Sequence, residues 1–215
     1  MLQLVNILIV PGAYLIGSIP PSIWIGRMFF NTDVRDYGSG NAGATNTFRV
    51  LGTKPGIIVF IIDLMKGFLA VNLATLNPAL SSNPEYFLTM QLILGVAAIL
   101  GHVFPLYVGF KGGKGVATLF GVILGISLLP TLIMAGVFFV TLFATRYVSL
   151  SSIIAGISFP ILTLIIFNSD ALPLVIFSIA IPLLIIFTHQ KNIERLLHNN
   201  ESKADLSKFG LKGKK

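Results

Sequence analysis

Seven apolar runs divide this chain: residues 2–28, interrupted at Pro20-Pro21, then 55–76, 86–104, 116–129, 131–144, 151–167 and 171–188. A helix needs about 20 apolar residues to cross the bilayer hydrocarbon. Only helices and closed barrels satisfy their own backbone there. The runs therefore predict an all-α integral membrane protein with about seven transmembrane helices. The charged fraction agrees, at 11% against about 25% in soluble domains. The runs on either side of Pro130 together cover about 29 residues, long for one crossing, so they are read as two spans. The first run has no basic stretch before it and no small-residue cleavage site after it. It is expected to be a retained span and not a signal peptide. One domain is expected over residues 1–215, with 204–215 a flexible basic tail. The chain has no cysteine, which excludes disulfides and thiolate metal sites.

Charge placement orients these spans. With an extracytoplasmic N-terminus, fourteen of the fifteen basic residues fall on one side, and the last, Lys66, lies inside a span. The positive-inside pattern makes that side cytoplasmic and puts the C-terminus there too. Joining the fourth and fifth runs would separate Lys111 from Arg146 and spoil the pattern. The net charge of +7 is therefore read as cytoplasmic loops facing anionic lipid, not as a nucleic-acid surface.

Residues 38–52, GSGNAGATNTFRVLG, form the longest non-hydrophobic run before the tail. Small residues let backbone approach a ligand, and free N–H groups make anion nests. Arg49 adds a permanently charged fork suited to phosphate or carboxylate. A plain interhelical turn would need only about two to six residues. Residues 101–118, GHVFPLYVGFKGGKGVAT, set Lys111 and Lys114 among glycines directly before a span. No hydroxyl follows the lysine, so this is not a Walker A loop. An anion cradle and snorkelling lysines at a helix end are the two readings. His102, close by, is either structural or catalytic.

Three further groups carry polar chemistry. Ser149, Ser151 and Ser152 follow Arg146 at a helix start, where hydroxyls cap the helix or hold phosphate. His189 and Asn192 share one face of the tail if it is helical. His189 and Glu194 only loosely mimic an H-x4-D acyltransferase signature, because a five-residue offset diverges by about 140° on a helix. Asp63 and Lys66, at i and i+3 inside the second run, read first as a structural ion pair and alternatively as lining the site. The basic face offers no paired carboxylates for a divalent metal and no G-x-S-x-G elbow. Neither a metal nor a cofactor is expected.

Three segments, SGNAGATNTFR at 39–49, GHVFPLYVGFKGGKGVAT at 101–118 and HQKNIERLLHNNESK at 189–203, resemble the three motifs of the bacterial acyl-phosphate-dependent glycerol-3-phosphate acyltransferases. Motif order, motif side and span number match over essentially the whole chain. In the third motif Asn199 stands where a glycine is expected. The resemblance implies transfer of a fatty acyl group from acyl phosphate to the 1-hydroxyl of glycerol 3-phosphate. The products are lysophosphatidic acid and phosphate, in the first step of phospholipid synthesis at the bacterial inner membrane. By motif position it implies that Ser39, Gly40, Asn41, Asn46, Arg49, His102, Lys111, Gly112, Gly113 and Lys114 contact substrate. Lys111 and Lys114 are not told apart. Ser151 and Ser152 are expected to clip a second phosphate, and His189 and Asn192 to orient the glycerol hydroxyl. Arg49, Lys111, Lys114, His189 and Asn192 are the implied catalytic set. The acyl chain is expected in a groove between spans, open to the bilayer. Membrane lipid is the surrounding partner, nucleic acid is not one, and the oligomeric state is open, with a monomer compatible.

Two other classes compete. A head-group transferase acting on an anionic lipid would need the missing carboxylate pair. An organic-phosphate transporter would show internal repeats and polar sites at mid-membrane, whereas the motifs here lie on one face and no repeat is evident.

Overall fold

The structure, a computed structural model, describes residues 2–80 and 82–205, with side chains from Leu8 onward. Among these residues the chain is helical throughout, with no strand. It divides into two compact units, Met1–Leu128 and Leu129–Lys215. The first holds α1 (Leu2–Ser18), α2 (Pro21–Phe30), α3 (Ala44–Val50), α4 (Thr53–Asn72), α5 (Pro84–Val103) and α6 (Val116–Ile126). The second holds nearly all of α7 (Leu128–Thr145), then α8 (Val148–Ile161), α9 (Leu172–Thr188) and α10 (Gln190–Leu197).

Among the described residues, four helical stretches are long and apolar enough to cross a membrane: Thr53–Leu76, Pro84–Val108, Leu128–Thr145 and Val148–Ile166. Two bent pairs raise the number to six, α1 with α2 at 42° and α9 with α10 at 65°. The run at 116–129 gives only a short helix, α6, of 11 residues. At 1.5 Å per residue that is about 16 Å, roughly half the hydrocarbon thickness. The break before α7 falls at Ser127, which turns extended (φ −154°), and not at Pro130. Pro130 sits in the first turn of α7, where the missing N–H has no helical partner to lose.

The first unit is built on close helix approaches. Gly67 of α4 lies against the Thr118 carbonyl of α6, and Gly121 of α6 against the Leu64 carbonyl of α4. Gly17 of α1 meets Ala98 of α5, and Gly101 of α5 meets Tyr14 of α1. A Cβ at any of these positions would overlap backbone. Lipid supplies no hydrophobic drive for helices to associate, so close van der Waals packing of small residues takes its place. Between α1, α4 and α5 lie Ile9, Ala13, Ala70, Leu94 and Ala98, all buried. The outer face of α4 is apolar too, with Ile58, Ile61 and Leu69 exposed, as lipid contact requires.

Pro20 and Pro21 part α1 from α2. Pro21 is the first residue of α2, where its fixed φ suits the helix start. In the second unit, Phe159 of α8 meets Phe177 of α9 edge to face at 6.1 Å. Pro160 leads α8 into a π-helical turn, Leu162–Ile166. At the start of the expected tail, the Ala204 N–H donates to the Arg146 carbonyl (2.7 Å). Residues 206–215, with Lys208, Lys212, Lys214 and Lys215, lie outside the described residues.

Candidate active site

The run at 38–52 forms a loop and then α3, with Arg49 in the last turn. Ser39 and Gly40 are exposed; Asn41 and Arg49 are half-buried. Asn46, expected to contact substrate, is instead buried and bonded to the loop's own backbone. Its Oδ1 accepts from the Ser39 N–H (2.8 Å). Its Nδ2 donates to the carbonyls of Val34 (2.7 Å) and Tyr37 (3.1 Å). The reason is geometric: Gly38 and Gly40 have φ of +62° and +71°, a tight reversal that leaves backbone groups inside needing partners. Asn46 therefore shapes the loop that presents Ser39 and Gly40.

Beside this loop stands a charged pair that the sequence reading did not single out. Asp33 Oδ2 accepts from Arg35 Nη2 and Arg27 Nη2, both at 2.8 Å. Hydrogen bonds from Arg35, assisted by Arg27, hold the Asp33 carboxyl well below its ordinary pKa. The same bonds push Arg35 up. Arg35 Nη1 then donates to the carbonyls of Val108 (3.1 Å) and Lys111 (3.4 Å). The turn that leads into the first loop is thereby joined to the lysine loop. The sequence signal was Asp33-x-Arg35, an aspartate that also caps its own turn through the Arg35 N–H.

In the lysine loop, two of the glycine N–H groups bond to backbone. The Gly112 N–H donates to the Val103 carbonyl and the Gly113 N–H to the His102 carbonyl, both at 3.1 Å. These are the last carbonyls of α5, which lack helical partners, so the loop caps the helix. The glycines are required for close approach: a Cβ on Gly112 would strike the His102 carbonyl, and one on Gly113 the His102 ring at Nε2. Lys111 is exposed and Lys114 half-buried. Gly115, at φ +80°, starts α6 with no side-chain cap. That leaves the α6 N-terminus, next to Lys114, as the anion-favouring end of this loop.

Under both loops lies a buried polar cluster. Lys66 Nζ sits 2.8 Å from Asp63 Oδ1 and donates to the Ile19 carbonyl (3.0 Å), freed by the α1–α2 break. His102 Nδ1 lies 3.3 Å from the same Asp63 oxygen and 3.1 Å from Thr118 Oγ1. Asp63 and Lys66 form the expected ion pair, and His102 joins it. Asp63, Lys66 and His102 line a small cavity with Pro20, Ala42 and Gly113. Ser22 Oγ donates to the Ala42 carbonyl (2.7 Å), which fixes the first loop to α2.

The second unit gathers the rest. His189 is buried at the α9–α10 corner, with Nδ1 2.8 Å from the Ile185 carbonyl. A carbonyl only accepts, so Nδ1 carries the proton and, in the neutral ring, Nε2 carries the lone pair. Asn192 Nδ2 donates to Glu201 Oε1 (2.7 Å). Ser149 Oγ donates to the same oxygen (2.7 Å), and Arg195 Nε to Glu201 Oε2 (2.8 Å). Burial would raise the Glu201 pKa, but the hydrogen bonds from Arg195, Asn192 and Ser149 outweigh it and hold it low. Ser151 and Ser152, expected to clip a phosphate, are buried, and their hydroxyls donate to the carbonyls of Tyr147 (2.8 Å) and Val148 (2.9 Å). Serine inside a helix readily bonds back in this way. Glu194 is exposed while His189 is buried, so the two do not form an acid–histidine pair.

The family model for glycerol-3-phosphate acyltransferase matches residues 7–199. The chain belongs to this family. It is 48% identical over 192 residues to a glycerol-3-phosphate acyltransferase of Staphylococcus carnosus (strain TM300), covering 89% of this chain and 94% of that one. It is 41% identical over 228 residues to one from Chlorobium phaeobacteroides (strain BS1), covering 92% and 96%. Among solved structures it resembles PlsY (YgiH), an integral membrane glycerol 3-phosphate acyltransferase, in its glycerol 3-phosphate form. The TM-score there is 0.82 at 36% identity, over 96% of this chain and 99% of that one. The lysophosphatidic acid form of the same enzyme gives 0.79 at 35%. Membership fits a multi-pass membrane protein whose first unit sets two glycine-rich loops over a buried ionic cluster. It also accounts for Asn199. That residue takes φ +56°, while the Asn200 N–H bonds to the Arg195 carbonyl (2.7 Å) and the Asn199 N–H to the Leu196 carbonyl (3.2 Å). This is the Schellman ending of α10, usually made with glycine, so asparagine keeps the geometry of the motif.

Proposed function

We propose that the protein transfers a fatty acyl group from acyl phosphate to the 1-hydroxyl of glycerol 3-phosphate. The observation that carries this reading is the turn at Val34–Asp36, inside a glycerol-3-phosphate acyltransferase fold: it bonds to the lysine loop through Arg35 and to the Ser39–Arg49 segment through Asn46. Both substrates carry phosphate, and Arg49, Lys111 and Lys114 are the cations that the two motifs supply for it. The glycerol oxygen attacks the acyl carbonyl carbon, the bond from that carbon to the phosphate oxygen breaks, and phosphate leaves. The hydroxyl proton goes to the departing phosphate. Acyl phosphate is already an activated anhydride, so positioning and charge stabilisation supply much of the rate. Arg49 and the lysines hold phosphate; Ser39, Gly40 and Asn41 contact it from the first loop. His189 and Asn192 orient the glycerol hydroxyl, and the network around Glu201 sets where Asn192 sits. The basic face is cytoplasmic and the acyl chain enters from the bilayer.

The test is phosphate release by purified protein given palmitoyl phosphate and glycerol 3-phosphate, with EDTA present. Release that needs both substrates and matches the lysophosphatidic acid formed supports the reading. Turnover only with acyl-CoA or acyl carrier protein would replace the donor. Arg49→Ala is expected to lower the rate at least tenfold, because a charge-assisted bond contributes about 1.5–3 kcal/mol. A smaller loss would remove Arg49 from the site.

A further inference from the structure

We propose that Asp63, Lys66 and His102 are positioning residues: a buried ionic cluster that sets the lysine loop and the first loop in register for phosphate binding. This rests on the reading above, that these loops hold the substrate phosphates. Three contacts connect the cluster to the surface. His102 holds the lysine loop twice, through its carbonyl to the Gly113 N–H (3.1 Å) and through its ring, whose Nε2 lies where a Gly113 side chain would be. Lys66 holds the helix break through the Ile19 carbonyl (3.0 Å). Three residues on, past Pro20 and Pro21, Ser22 Oγ grips Ala42 of the first loop (2.7 Å). Asp63 lies between, with Oδ1 2.8 Å from Lys66 Nζ and 3.3 Å from His102 Nδ1.

Side-chain exposure is 1% for Asp63, 4% for Lys66 and 5% for His102. Two charged residues at this depth are costly to bury, and the cluster is incompletely satisfied: Asp63 Oδ2 has no hydrogen-bond partner among the described residues. Plain helix packing is met nearby by Gly67 and Gly121 without charge. What the ions add is direction. The cluster fixes the azimuth of the His102 ring, and with it the height of Gly113 and the place of the lysine on each side.

The experiment measures KM for both substrates, with kcat, in His102→Ala, Gly113→Ala and the double variant. Calorimetric affinity for glycerol 3-phosphate is measured in parallel. Loss of folded protein lowers the maximal rate but leaves KM unchanged, so KM separates positioning from mere stability. Each single variant is expected to raise KM for one of the two phosphate substrates at least fivefold. The double variant should be no worse than Gly113→Ala, because the ring that the new methyl strikes is gone. Unchanged KM values with rates that track the folded fraction would overturn the proposal, as would fully additive effects of the two changes. If His102→Ala does not fold, Asp63→Asn, which keeps the shape and removes the charge, must raise the same KM about threefold, and an unchanged KM there overturns the proposal equally. Wild-type inactivity with palmitoyl phosphate would instead refute the donor assignment; the variants are then judged by the same fivefold criterion on glycerol 3-phosphate affinity.

Discussion

The protein buries a carboxylate in each of its two units, and the two are treated differently. Asp63 lies inside a span, with Lys66 and His102 both against its Oδ1 and no ion-pair partner at Oδ2 among the described residues. Glu201 lies past the last helix and accepts from Ser149, Asn192 and Arg195, using both oxygens. The first is an ion cluster in a buried helix core. The second is a hydrogen-bonded clamp that closes the chain's end back onto the start of α8. An ion cluster depends on charge balance, whereas a clamp depends on the number of donors it satisfies. Substitutions that change one quantity and not the other tell them apart.

The largest effect is expected at Asp63. Asp63→Ala leaves the Lys66 ammonium buried without its counter-charge, a loss of about 3–5 kcal/mol. The paired change Asp63→Asn with Lys66→Met removes both charges together and should restore most of that stability. Thermal unfolding in detergent measures both. Equal losses in the single and double variants would show that shape, not charge balance, holds the cluster.

Glu201→Ala should come next, at about 3 kcal/mol, because it strands the buried donors of Ser149 and Asn192 and frees the half-exposed Arg195. No second substitution should rescue it as the Asp63 pair is rescued, since three partners cannot be neutralised by one change. Recovery of the midpoint on adding Arg195→Met would make the clamp a simple ion pair after all.

These two carboxylates also mark what the sequence made legible. Helical membrane class and family followed from apolar runs and three motifs, while the number of candidate spans among the described residues came out at four to six and not seven. The Asp63–Lys66 pair followed from i, i+3 spacing. The Glu201 clamp did not, because Ser149 lies 52 positions away and no local period connects them. The internal bonds of Asn46, Ser151 and Ser152 were not legible for a related reason. Residue type showed that each could bind a ligand, but only the fold showed which backbone groups needed those same atoms. The glycines of the lysine loop read as an anion nest because freedom of backbone and closeness of approach call for the same residue.

Acid should then separate the units. The folded Glu201 pKa lies below its ordinary 4.5, so its contribution is fully present above about pH 4.5 and is lost as pH falls through the folded value. Glu201→Gln cannot titrate. It should be less stable than wild type at neutral pH, and the gap should narrow as the medium is acidified below 4.5. Midpoints measured from pH 7 to pH 3.5 would show this. A gap that stays constant would mean that Glu201 does not titrate in this range and that its bonds act through shape alone.

The smallest effect tests the end of α10, on which the clamp depends. Asn199 sits at φ +56°, where a side chain with a Cβ costs about 1–2 kcal/mol unless it is glycine or a short polar residue. Asn199→Ala should therefore cost about 1 kcal/mol, while Asn199→Gly should be neutral or slightly stabilising. Both changes leave Glu201 and its partners in place. If Asn199→Ala also uncouples Glu201, read as loss of the acid response, the Schellman turn is what brings Glu201 back to Ser149. If the midpoint falls but the acid response stays, the three donors hold Glu201 by themselves and the turn contributes only its own strain.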